Sequence, residues 1–206
     1  MGRRGAVAGL ALLALGGPAR SLASYDPAQD PVVEEVRAYL AALTTLRASF
    51  LQVNQAGDIA EGIVYLARPD RLRFEYQVPA GLLVVANGAS LRVYDPEIDR
   101  VTELPFADTP ASLMLREDID LGGRIQVVSV GRDQGVLGMT VVERDNPGLG
   151  SLSVLFQARP LELRQWTVVD AQGYSTRVTL FDTQVGLALD PALFDLARLP
   201  VSPVER

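Results

Sequence analysis

From Gly62 to Thr102, apolar and polar side chains alternate, and turn residues cut the alternation every few positions. Gly62-Ile63-Val64-Tyr65-Leu66-Ala67-Arg68-Pro69 is followed by Leu72-Arg73-Phe74-Glu75-Tyr76, by Asn87-Gly88 and by Val93-Tyr94-Asp95-Pro96. A period of two between close turns is the signature of strands joined as hairpins. The stretch predicts a meander of antiparallel strands with one apolar face.

The same rhythm continues along the chain. Candidate strands fall near 48–55, 59–67, 71–77, 82–86, 90–94, 98–103, 125–130, 136–143, 151–157, 161–169 and 173–182. Turns rather than helices separate them, so the sheet is antiparallel. About eleven strands are too many for one open twisted sheet, which must curl. The predicted fold is mainly β: an incomplete, half-open antiparallel barrel covered by short helices.

One long helix precedes the strands. Asp30 can cap it, Pro31 fits its first turn, and Glu34 and Glu35 suit the positive end of its dipole. Val32, Val33, Val36, Leu40, Leu43 and Leu46 recur at helical spacing, which predicts a helix over 31–47. Residues 104–122 break the strand rhythm. Pro105, Pro110 and Leu113-Met114-Leu115 suggest a loop with a short helix, a cover segment. Residues 190–196 read as a further short helix with Leu193, Phe194 and Leu196 facing in.

The N-terminus reads as a secretory signal over 1–23. Arg3 and Arg4 precede the apolar run Ala6 to Leu15, and Ser21-Leu22-Ala23 supplies small residues for cleavage before Ser24. Residues 24–206 then form one domain, expected in the periplasm and free of a lipid anchor, since no cysteine follows the apolar run. Cleavage would remove three arginines and take the net charge from −6 to −9. That charge disfavours phosphate backbones, so nucleic acid is not an expected partner.

The 206 residues include neither His nor Cys, and all 19 basic residues are Arg. Ser-His-Asp and Cys-His catalysis, Cys/His metal sites and Schiff-base lysines are therefore excluded. No catalytic residue, cofactor or metal is expected. Carboxylates remain. Asp118 with Asp120, Glu143 with Asp145, and Asp95 with Asp99 are the acidic pairs that a carboxylate hydrolase would require. They lie beside Arg116, Arg144 and Arg100 in polar turns, the usual place of solvated charge. A structural domain with a filled interior is a third reading.

The order of motifs resembles that of the periplasmic lipoprotein carrier family, LolA. The resemblance runs through Phe50-Leu51-Gln52, Gly62 to Pro69, Leu72 to Tyr76, Leu83 to Gly88 and Tyr94-Asp95-Pro96. It continues through Thr109-Pro110-Ala111-Ser112-Leu113, Asp170-x-x-Gly173 and Leu193-Phe194. It implies an incomplete barrel closed by helices that carries lipoprotein acyl chains to the outer membrane. The implied partners are lipoproteins, a releasing inner-membrane transporter (LolCDE-like) and an outer-membrane acceptor (LolB-like), with the carrier a monomer. A carrier or sensor of other lipids or glycolipids on the same fold is the alternative.

Alternation suggests which residues line the apolar cavity: Leu51 and Val53; Leu72, Phe74 and Tyr76; Leu91 and Val93; Leu152, Val154 and Phe156; Val178 and Leu180. The cover would be the first helix with Pro110, Leu113 and Met114. The resemblance also implies that Arg68 is a latch, hydrogen-bonding the cover and holding the empty form shut.

Overall fold

The computed structural model describes residues 26–79, 81–117 and 119–199; the expected signal segment lies outside them. Helix α1 spans Pro31–Ala42. Strands β1 to β6 are Thr45–Asn54, Ile59–Ala67, Arg71–Val78, Leu83–Asn87, Ser90–Asp95 and Arg100–Pro105. A single helical turn, α2, spans Ser112–Leu115. Strands β7 to β11 are Ile125–Asp133, Val136–Glu143, Gly150–Ala158, Leu161–Asp170 and Ser175–Val185.

All eleven strands belong to one antiparallel sheet in the order β6-β5-β4-β3-β2-β1-β11-β10-β9-β8-β7. Each half is a run of consecutive hairpins, and β1 joins the halves by pairing with β11. The sheet is open, with β6 and β7 at its edges. It is also strongly curled. Phe74 on β3 and Trp166 on β10 are four strands apart, roughly 19 Å across a flat sheet, yet their ring centroids lie 6.2 Å apart. Register slips at Arg47/Ser49, Leu163/Gln165 and Val127/Ser129 contribute to the bending.

Gly62 shows why a small residue stands in the middle of β2. A Cβ there would lie 2.0 Å from the Glu75 carbonyl oxygen. Gly62 pairs with Phe50 on one side and Tyr76 on the other. Without a side chain between them, those two rings meet edge to face at 5.1 Å.

The first helix is shorter than its spacing predicts. Asp30 caps it by accepting from the Val32 amide at 2.9 Å, and Val32, Val33, Val36 and Leu40 are buried. It ends at Ala42, with the Leu43 amide bonded back to Tyr39. The β-branched pair Thr44-Thr45 then favours extended backbone. Leu46 is buried as a strand residue, with Ala48 and Phe50 at alternate positions. Helix α1 is tied to the edge strand β7 by an Arg132–Glu35 ion pair at 2.6 Å.

The C-terminal segment forms two 3-10 turns, Pro191–Phe194 and Leu196–Arg198. It does not face the interior. Arg73 donates to the Leu193 carbonyl at 3.0 Å and Arg92 to the Leu196 carbonyl at 3.1 Å. Leu196 and Leu199 pack on Val85. Arg73, Val85 and Arg92 are in register on the face opposite Phe74, so this segment shields the outer face.

Candidate functional site

The curl gathers the inner face of the sheet into one apolar cluster. Leu72, Phe74 and Tyr76 from β3 meet Leu152, Val154 and Phe156 from β9, and Val178 and Leu180 from β11. Leu91 packs against the cluster, half-buried. Val93 pairs with Val84, which pairs with Phe74, so it belongs to the same face.

Leu51 and Val53 do not join them. Phe50 and Gln52 occupy the inward positions of β1: Phe50 is 2% exposed, and Gln52 accepts from the Tyr76 hydroxyl at 2.8 Å. Leu51 and Val53 point to the outer face, because strand parity is set by Leu46, Ala48 and Phe50. Alternation read from the sequence also missed Trp166. The slip between Leu163 and Gln165 puts Leu163 and Trp166 on one face although they are three residues apart. The pairing of Trp166 with Val154 and Val178 gives the signal that finds it.

The cover fills this cluster. Pro110, Leu113 and Met114 are buried, as are Ser112 and Leu115. Met114 touches two small voids: one of about 30 Å³ between Leu72, Phe74, Leu152 and Trp166, and one of about 10 Å³ nearer α1. Neither is large enough for a hydrocarbon chain. The apolar lining that alternation suggests is therefore present, and in this structure the cover's own side chains fill the space inside it.

Arg68 directly follows β2 and reaches the ends of both helical pieces. Its guanidinium donates to the carbonyl of Leu40 in the last turn of α1. It also donates to the carbonyls of Arg116 at 2.5 Å and Glu117 at 3.1 Å, just past α2. A planar fork with five donors suits such bridging. The Asp70 amide adds a bond to the Leu115 carbonyl at 2.8 Å. Burial pulls Arg68 below the usual arginine range, opposed by the Asp70 carboxylate. Burial likewise pushes Asp70 up, against Arg116 and Arg68. A cleft of about 370 Å³ runs along the seam, lined by Arg37, Leu43, Thr44, Arg68, Pro69 and Glu117.

Two tyrosines place polar tips in the oily interior. Burial pushes the Tyr76 phenol up to about 12, against its hydrogen bond to Gln52. Burial also raises Tyr39, whose hydroxyl accepts from the Leu163 amide at 3.2 Å.

Among the acidic pairs considered for hydrolysis, Glu143 is buried rather than solvated. Asp95 accepts from the Glu97 amide in its own turn. Glu143 is paired with Arg116 and Arg124. Asp145 is exposed, and Asp118 lies outside the described residues. Among the described residues no three carboxylates converge to hold a metal.

Comparison with known proteins agrees with this architecture. The family model "Outer membrane lipoprotein carrier protein LolA" matches residues 41–197. An outer-membrane lipoprotein carrier protein of Chromobacterium violaceum is 28% identical over 179 residues, covering 83% of this chain and 85% of that one. One from Methylococcus capsulatus is 27% identical over 171 residues, covering 79% and 81%. A solved structure from Desulfovibrio piger superposes with a TM-score of 0.50 at 12% identity, over 84% of this chain and 99% of that one. It shares the fold.

Proposed function

The chain belongs to the LolA family of outer-membrane lipoprotein carriers, and on that premise we propose that it carries lipoprotein acyl chains through the periplasm inside its curled sheet. The cargo passes from a releasing transporter of the inner membrane, LolCDE-like, to the outer membrane, where a LolB-like acceptor receives it. The carrier works as a monomer and performs no catalysis.

The physical problem is hydrocarbon in water. Each methylene is worth about 0.8 kcal/mol, so one long chain left exposed costs on the order of 10 kcal/mol. A carrier must offer that much apolar surface and still release the chain. The observation that carries the reading is the position of Leu113, Met114 and Leu115. They occupy an apolar interior built from both halves of the sheet, on a four-residue turn whose end is gripped by Arg68. A cargo chain takes over the contacts that these side chains make in the closed form.

Arg68 gives the cycle its direction. Closing the cover restores its bonds to Leu40, Arg116 and Glu117. The closed empty form is thereby stabilised against the loaded one, and release to an acceptor becomes favourable. Leu72, Phe74, Tyr76, Leu91, Val93, Leu152, Val154, Phe156, Val178 and Leu180 form the cargo-contacting face in this reading, with Phe50 and Trp166 added.

The test is mass spectrometry of the mature protein purified from the periplasm of its host under native conditions. The proposal expects acylated lipoproteins in near-stoichiometric amount. Recovery of glycolipids or free lipids instead would move the reading to another cargo. Recovery of none, with no uptake of an apolar dye, would overturn it.

A further inference from the structure

Glu143 ends the inward-facing stripe Leu137, Met139, Val141 on β8, which places a carboxylate where alternation calls for an apolar residue. Its side chain is only 8% exposed. It contacts Arg116 through both oxygens, at 2.6 and 3.4 Å. Arg116 is the residue that follows α2, and its carbonyl is one of those held by Arg68.

Arg116 is thus gripped from two directions. Arg68, directly after β2, holds its backbone; Glu143, on β8, holds its guanidinium. Those strands belong to opposite halves of the sheet, five positions apart in the strand order. The exit of the cover is held from both halves.

We propose that Glu143 is a positioning residue for the cover, a second latch that must let go of Arg116 before the interior opens. This rests on the carrier reading. Two features suit Glu143 to reversible use. One partner lies on the cover itself, so the pair breaks when the cover leaves. The other partner, Arg124 at 3.3 Å, sits just before β7 and is largely exposed. When Arg116 departs, the buried carboxylate keeps a counter-charge and is not stranded, which would otherwise oppose opening strongly.

The test uses Glu143→Gln, Arg116→Gln and Glu143→Asp, beside wild type and Arg68→Leu. Two quantities are read: the rate of uptake of the uncharged dye Nile red, and the melting temperature of the protein empty and loaded with a dipalmitoylated lipopeptide. Glu143→Gln and Arg116→Gln are each expected to speed dye uptake about tenfold, the loss of one charged hydrogen-bonded pair. Both lower the melting temperature of the empty form and leave the loaded form near wild type. Glu143→Asp restores most of the slow uptake. Combined with Arg68→Leu, the gain from Glu143→Gln is less than multiplicative, because both grips act on Arg116.

If Glu143→Gln lowers the melting temperatures of both forms equally and leaves uptake unchanged, Glu143 is a structural ion pair and the latch is overturned. The carrier reading then stands if wild type and Arg68→Leu bind and differ in rate. If wild type takes up neither dye nor lipopeptide, the carrier reading and the latch fall together.

Discussion

The indole of Trp166 and the phenyl ring of Phe74 meet at 6.2 Å although four strand positions separate β3 from β10. The two rings mark the closure of the interior, and Met114 and Leu115 of the cover border the small void between them. Trp166 is also the single tryptophan of the chain, which makes it an internal reporter. Loading with an acyl chain brominated near its middle is expected to quench tryptophan emission strongly. An unbrominated chain of the same length leaves the emission high. Unchanged emission with the brominated chain bound would put the ligand outside this interior.

Removing the Arg68 guanidinium is expected to loosen the cover. The loss of its bonds to Leu40, Arg116 and Glu117 is worth about 2–3 kcal/mol. That is roughly a 30- to 150-fold shift toward the open form. Arg68→Leu is expected to accept cargo readily and to retain it. Stopped-flow transfer to acceptor vesicles measures the second effect; transfer as fast as wild type would contradict the role.

Backbone approach, rather than side-chain packing, governs Gly62. Gly62→Ala forces a Cβ onto the Glu75 carbonyl and is expected to destabilise the protein by more than about 3 kcal/mol. Gly131→Ala on β7 meets open space and is expected to be neutral, or stabilising by up to about 1 kcal/mol. Urea unfolding of the two variants makes the comparison.

Tyr76 gives the fold an alkaline limit. Its phenol is raised from an ordinary 10.0 to about 12 by burial. The folded form therefore holds its proton longer than the unfolded chain. The associated stability is fully present below pH 10 and is lost as pH climbs through 12, a loss of about 2–3 kcal/mol. Urea unfolding followed from pH 9 to 12 is expected to show this slope in wild type and a shallower one in Tyr76→Phe, where the raised Tyr39 phenol still contributes.

Much of this architecture is legible in the sequence, because strands carry their own record of facing. Leu72, Phe74 and Tyr76 alternate with Arg71, Arg73 and Glu75, and the structure buries the first three. What escaped depended on partners remote in sequence or on slips in register. Leu43 and Leu46 continue the spacing of Leu40, so nothing local separates the end of α1 from the start of β1. Leu51 and Val53 alternate as well as Phe50 and Gln52 do, and only pairing decides which pair faces in. The bulge before Gln165 hides Trp166. Glu143 stands beside Arg144 and Asp145 and reads as turn charge; its partner Arg116 is 27 residues away. The filled interior could not be read from alternation, because alternation reports which way side chains point and not what meets them.

The central claim is that the cover leaves the interior when hydrocarbon enters. Amide hydrogen exchange of the mature protein, with and without a dipalmitoylated lipopeptide, tests it most directly. Loading is expected to strip protection from residues 109–115 and from the last turn of α1, where the Met114, Leu113 and Leu43 amides are bonded in the closed form. Strands β1, β2, β10 and β11 should keep theirs. Binding of the lipopeptide with cover protection intact would contradict the account.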